Sequence, residues 1–533
     1  MPGSLYSRLN RTFGTPPPLP VKREAVQEKI RTTFDLHRFP LESVAEVYGQ
    51  VAGKSVIIVG AGFAGLTAGY SLSRQGYRVT VLEARDRVGG RVFTNRISDN
   101  GPLLECGGEL IGRNHPTWLM LAQRFGLGLS VITPDEDYVY ANDRRKYTDF
   151  AAPMWIAGQL RDAKEQERLY VEMQWAFKTL NEDASTVPAH MPWRAKNAAA
   201  WDQKSVAQWL ESLNEHHCSK DAKAAIRFQI ETDQTARLEQ QSYLGLLAAV
   251  KGGSLKRLSE RRDEPSEFWS ETEIFRCAAG NQELARRLCK EIETAGGSIL
   301  TEMPVNKVDM GEADVAVTSK EGKEFRGNWV IVAVPPSCWH TVGLPFDWKS
   351  LQLQTGSAVK YLANTKSRFW LRDGLAPAAN DDRFGMVWEG TDNQIVPIEN
   401  GAELTVFAGG RLAELAPKEE EASSQYFMNG LERLYSGFTA EKTSHRFMDW
   451  RNEDWTWGGY SCPARTQVTT AAKALYERND RLVWAGEHCC MAYFGYMESA
   501  LQSGLHAAQL VAAGDKVREA QELLQKKMES ALA

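Results

Sequence analysis

The stretch Val56-Ile57-Ile58-Val59-Gly60-Ala61-Gly62-Phe63-Ala64-Gly65, followed by Val79-Thr80-Val81-Leu82-Glu83, decides the reading of this chain. An apolar run stops at glycine, a helical pattern follows, and a second apolar run ends on a carboxylate. That order predicts a strand–helix–strand unit of a parallel sheet. Gly60, Gly62 and Gly65 form G-x-G-x-x-G between strand and helix. Where side chains are missing, backbone N–H groups at the helix N-terminus, Ala64 within the same turn, can approach a pyrophosphate. Glu83 stands where a ribose hydroxyl needs an acceptor. Together these predict an adenine dinucleotide site, with NAD and FAD both open.

The discriminator follows directly. Glu83-Ala84-Arg85 leads into Arg87-Val88-Gly89-Gly90-Arg91, a second glycine turn whose arginines can extend phosphate contacts beyond the first unit. Here the sequence resembles the flavin amine oxidase family. The resemblance continues through Leu104-Glu105-Cys106-Gly107-Gly108, Gly280-Asn281-Gln282, Val332-Ala333-Val334-Pro335-Pro336 and Ala485-Gly486-Glu487-His488. It ends with Gly495-Tyr496-Met497-Glu498-Ser499-Ala500 and spans about residues 50–515. It implies an α/β fold: a Rossmann-like FAD-binding domain of discontinuous segments, a mixed α+β substrate domain and a helical insertion. The implied boundaries are 1–50 for an N-terminal extension, 51–112, 268–345 and 445–515 for the FAD-binding domain, and 113–150 with 346–444 for the substrate domain. Residues 151–267 form the helical domain and 516–533 a C-terminal helix, with Val517, Leu524 and Met528 on one face.

The resemblance also implies roles. Gly90, Arg91, Gly108, Glu109 and Leu110 would pass beside phosphates or flavin, Val305 would offer its backbone to adenine, and Gly486 and Glu487 would hold ribityl or pyrophosphate groups. Met497 would present its N–H to the flavin pyrimidine end. Lys360, in Ser357-Ala358-Val359-Lys360-Tyr361, matches the family lysine that holds a water near the flavin and assists reoxidation. Tyr496, Tyr460 and Trp457 belong to segments that meet at the reacting face, with Trp455 nearby, and Trp388 to a strand lining the substrate cavity. A tyrosine, not a cysteine, follows Gly459, which implies non-covalent FAD; Ser461 replaces one tyrosine of the monoamine oxidase cage.

The family's chemistry is hydride removal from the carbon bearing a neutral amine, followed by hydrolysis of the imine, with dioxygen taking the electrons to give peroxide. The chain is most like an L-amino-acid oxidase in this reading, with Arg113 as the candidate for binding a substrate carboxylate by charge-assisted bonds. Oxidation of polyamines or monoamines and an amino-acid monooxygenase remain alternatives, and a non-catalytic flavoprotein scaffold is the reading from another class.

Bulk properties agree with an enzyme. With 533 residues the chain exceeds one hydrophobic core. A net charge of −5 gives no basic face for nucleic acid. Pro16, Pro17, Pro18 and Pro20 predict an extended segment, not a signal peptide, and residues 56–72 are too glycine-rich for a membrane span. Eight cysteines show no paired C-x-x-C spacing, Cys489-Cys490 being the close pair, so reduced thiols in a cytoplasmic setting are expected. His216-His217 is expected on an exposed helix, and no metal-ligand cluster is evident. The expected partners are an amino acid or amine and dioxygen, with a homo-oligomer possible.

Overall fold

The computed structural model describes residues 4–14, 53–96, 101–132, 150–260, 263–351, 353–392, 401–477 and 479–532, with side chains of the last helix described to residue 517. The proline segment at 16–20 lies outside the described residues. The strand Ser55–Val59 is central in a five-stranded sheet, flanked by Trp329–Val332 and Arg78–Leu82, with Leu482–Trp484 and Ser298–Leu300 at the edges. All pairings are parallel, so both faces must be covered. They are: Val56 and Ile58 join one buried core, Ile57 and Val59 the other. Strands from three distant stretches of chain thus meet in one sheet.

Two glycines make the first turn possible. Gly60 has φ +108°, a conformation L side chains rarely adopt. A Cβ on Gly65 would stand 2.1 Å from the Gly60 carbonyl oxygen, so Gly65 lets the helix Phe63–Arg74 pack tightly on its own strand. That helix also packs against Gln282–Thr294 and the long helix Met497–Leu532. Asp515 ties the long helix to the sheet, accepting from Tyr77 Oη at 2.6 Å and Trp329 Nε1 at 3.0 Å.

The second sheet has seven strands, in the order Lys442–Asp449, Ala358–Thr365, Ala402–Gly409, Gly385–Glu389, Ala379–Asp381, Met154–Ile156 and Gln159–Leu160. Its last hairpin falls inside the stretch expected to be helical. Met154 and Ile156 are fully buried and alternate with half-buried Trp155, and Ala157 and Gly158 turn the chain with φ of 53° and 73°. The helical stretch itself starts at Ala163, behind an Asp162 capping box, and its helices run to Gly252.

The C-terminal segment is no separate helix. It continues the helix that starts at Met497; Val517 is 48% exposed, and the side chains of Leu524 and Met528 lie outside those described. His216 and His217 sit exposed on a turn, not a helix, with the His217 ring stacked on Trp175 at 4.8 Å. All eight cysteines are free thiols. Among the described residues no helix is long and apolar enough to cross a membrane.

Gly65→Ala should force the helix off the strand at a cost of about 1–3 kcal/mol. A lower melting temperature together with a lower flavin content is the expected result; an unchanged melting curve would remove the packing role.

Candidate active site

One elongated cavity runs from the first glycine turn to the seven-stranded sheet. At its nucleotide end lie Gly60, Gly62, Ala64, Glu83, Ala84, Arg85, Gly90 and Val305. A Cβ on Gly62 would meet no protein atom within 4 Å, so the space there belongs to the cavity. The helix after it has no side-chain N-cap, which leaves first-turn N–H groups for an anion. Glu83 is buried at the strand end, its two oxygens accepting from Ala61 N at 2.7 Å and Arg85 N at 2.9 Å. Gly65 is not on the cavity wall; its part is the helix–strand packing described above.

In the middle, Arg91 and Glu487 are bound to each other. Arg91 Nη1 donates to Glu487 Oε1 at 2.7 Å and to Gly459 O at 3.0 Å. Glu487 also accepts from Ser461 N at 3.1 Å, Ser461 Oγ at 3.0 Å and Gly495 N at 2.9 Å. Burial alone would raise the Glu487 pKa, but Arg91 and these donors hold it below the ordinary carboxylate value. Ser461 therefore braces Glu487, while Gly486, Gly108, Leu110 and Met497 complete this part of the wall.

At the far end a buried charge cluster joins the segment after Gly108 to the seven-stranded sheet. Lys360 Nζ donates to Glu109 Oε2 at 2.6 Å, Glu105 O at 2.9 Å and Gly107 O at 3.1 Å. The ammonium has three hydrogens and here three protein acceptors, so a water on it would have to displace one. Glu109 Oε1 accepts from Arg276 Nε at 2.8 Å and Trp388 Nε1 at 2.9 Å. Arg276 pairs in turn with Asp392 and donates to Glu389 O at 3.0 Å. Burial would raise the Glu109 pKa, yet Lys360 and Arg276 hold it low. Glu109 is thus turned toward these partners.

The remaining wall is acidic and aromatic. Asp233, Gln234 and Glu273 line it beside Tyr460, Tyr496 and Phe407. Tyr460 Oη donates to Asp233 O at 2.7 Å, and Tyr496 hydrogen-bonds Glu273. Burial pushes Glu273 up to about 7, and burial with the neighbouring Glu273 raises Asp233 well above its ordinary value.

Two expected substrate residues do not reach the cavity. Arg113 pairs with Glu271 Oε2 at 3.3 Å, its backbone bonded to Glu271 O at 2.9 Å. Its chain turns away just after Gly107 and Gly108, so this guanidinium is not on the cavity wall. Trp457 packs on His340 with ring centroids 4.9 Å apart, off the cavity wall, whereas Trp455 lines the cavity. Sequence reasoning missed Asp233, Glu273 and Arg276. Arg276, alone between Phe275 and Cys277 in a buried strand, carried a usable signal: a charge placed among apolar neighbours needs a partner.

The chain matches the family described as flavin containing amine oxidoreductase over residues 63–512. It belongs to this family. A pyridine nucleotide-disulphide oxidoreductase model matches residues 14–100. Human amine oxidase [flavin-containing] B is 24% identical over 471 residues, 85% of each chain. The structure of cyclohexylamine oxidase from Brevibacterium oxydans is similar with a TM-score of 0.70 at 23% identity, covering 87% of this chain and 99% of that one. Wild-type putrescine oxidase bound to putrescine gives 0.72 at 21% identity, covering 87% and 100%. This amine oxidoreductase is an FAD enzyme with a Rossmann-like cofactor domain, and the uncapped helix and open glycine turn of its cavity fit the dinucleotide.

Glu83→Ala removes the acceptor that orders the turn and should lower the flavin-to-protein ratio after gel filtration several-fold. Full occupancy would count against Glu83 as a cofactor residue.

Proposed function

We propose that this enzyme oxidises amines, not amino acids, with non-covalently held FAD. The observation that carries the reading is the acidic wall of Asp233 and Glu273 at the reacting end, where the described residues include no arginine placed to receive a carboxylate. Arg85 and Arg91 lie toward the nucleotide, Arg276 is committed to Glu109 and Asp392, and Arg113 is outside. Above the raised Glu273 pKa an amino acid would bring its carboxylate against a like charge, whereas an ammonium is drawn in. The relatives named above as amine, cyclohexylamine and putrescine oxidases support the same choice.

FAD, when bound, accepts the hydride from the amine-bearing carbon and passes the electrons to dioxygen, releasing hydrogen peroxide. The chain's residues orient and shield. Tyr460 and Tyr496 flank the reacting end, Trp388 closes it from the sheet, and Lys360 is held rigid by Glu109. Cys462 is buried off the cavity wall, which supports non-covalent attachment. We assign Lys360 to reoxidation, through its fixed positive charge beside reduced oxygen.

Anaerobic bleaching of the flavin by putrescine, benzylamine or cyclohexylamine, with no bleaching by the L-amino acids, is the expected result; the reverse pattern would overturn the reading. Arg113→Ala should leave KM unchanged. Lys360→Met should slow reoxidation in stopped flow more than reduction, and equal slowing of both would withdraw its role.

The pH dependence follows from Glu273. Its carboxyl, pushed up to about 7, is neutral below that pH and attracts a cation only above it. KM for a diamine should therefore fall as pH rises through neutrality. Glu273→Gln should raise KM about tenfold above pH 7, the loss of one charge-assisted bond, and flatten this limb. A KM profile unchanged in the variant would remove Glu273 from recognition.

A further inference from the structure

Gln234 lines the main cavity beside Tyr460 and Tyr496, and it is only 5% exposed. Its backbone N–H donates to Ile230 O at 2.9 Å, but its side-chain amide has no hydrogen-bond partner among the described residues. A buried amide left unmatched costs stability, so one in a cavity wall marks a place where a ligand supplies the partner.

The chain is strained to put it there. Gln234 directly follows the helix Lys220–Asp233, and the next residue, Thr235, has φ 54°, an outlier for a β-branched side chain. Such strain persists only where the surroundings over-determine it. Here Ser357 N donates to Thr235 O at 2.9 Å and Tyr460 Oη to Asp233 O at 2.7 Å. A Cβ on Gly356 would stand 2.0 Å from Thr235 Oγ1, and one on Gly409 2.2 Å from Thr232 O. Bare backbone from the seven-stranded sheet and the segment before its strand Ala358–Thr365 therefore seats the helix end closely and fixes where Gln234 stands. The C-terminal end of a helix also carries partial negative charge, which favours a ligand that presents N–H groups.

We propose that Gln234 is a specificity-determining residue whose amide oxygen accepts a hydrogen bond from an N–H of the reacting amine. The inference rests on the amine reading above. Hydride leaves the carbon only when the amine is neutral, and a carboxylate acceptor favours the protonated amine instead. An amide carbonyl carries no net charge, so it accepts from the neutral amine without holding the extra proton on it. A neutral primary amine has two N–H groups, its N-methyl derivative one and its N,N-dimethyl derivative none. Gln234 thus selects primary and secondary amines over tertiary ones.

The test is kcat/KM for the best primary amine and for its N-methyl and N,N-dimethyl derivatives, measured by peroxide release with the full-length holoenzyme. Where a member is not turned over, its inhibition constant against the primary amine takes that place. Gln234→Met keeps the shape and removes the acceptor. It should lower the primary amine about two- to tenfold, the loss of one hydrogen bond, and the dimethyl derivative less than about twofold. Gln234→Leu removes the acceptor with a different shape and should reproduce that profile, which separates the lost bond from misfit. Gln234→Glu retains an acceptor oxygen and should keep the parent's primary-to-tertiary preference; flavin content and absorbance check each variant's fold. A preference unchanged in both apolar variants, a loss equal across the three amines, or a preference lost equally in Gln234→Glu overturns the assignment and leaves the amine reading intact. If no amine bleaches the flavin, the amine reading falls, and this inference with it.

Discussion

The ion pair between Glu109 and Lys360 is the constraint around which the site is arranged. Glu109 follows the glycines on the cofactor side and Lys360 sits on the second strand from one edge of the seven-stranded sheet. Their side chains, 4% and 5% exposed, bridge these two parts of the chain. Two charges this far from water are tolerable only when each is fully met by partners. Arg276, Trp388 and the carbonyls of Glu105 and Gly107 meet that demand. The result is a rigid junction: the sheet bearing Lys360 and Trp388 cannot shift against the cofactor turn without uncovering a buried charge.

Charge also organises the substrate end. The cluster around Glu109 balances itself, two cations against two carboxylates, so it contributes little net field to the cavity. At Asp233 and Glu273 burial is the largest influence, and it raises both carboxyl pKa values, that of Glu273 to about 7. A cationic ligand lowers the energy of that arrangement and a carboxylate raises it. On the amine reading proposed above, substrate class is an electrostatic property of Asp233 and Glu273, not of the cofactor sheet.

Much of the cofactor half was legible in sequence, for a physical reason. The turn at Gly60 needs a positive φ and the helix contact at Gly65 needs a missing Cβ; both constraints are local and leave glycines at fixed spacing. Glu83 ends its strand, so its placement follows once the strand is recognised. The substrate half is different. Arg113 is close in sequence to Gly107 and Gly108, yet Glu271 captures it, and Trp457 packs on His340 while Trp455 lines the cavity.

By itself, then, the sequence determined the parallel sheet, the dinucleotide turn, the family and FAD, because these depend on patterns within a few residues or along one strand. Only the tertiary structure decided which charges face the substrate. Asp233 at the end of one helix and Glu273 before a short strand carry no shared local pattern. They become neighbours because separate elements must bury their apolar faces together, and that packing leaves two carboxylates on one wall.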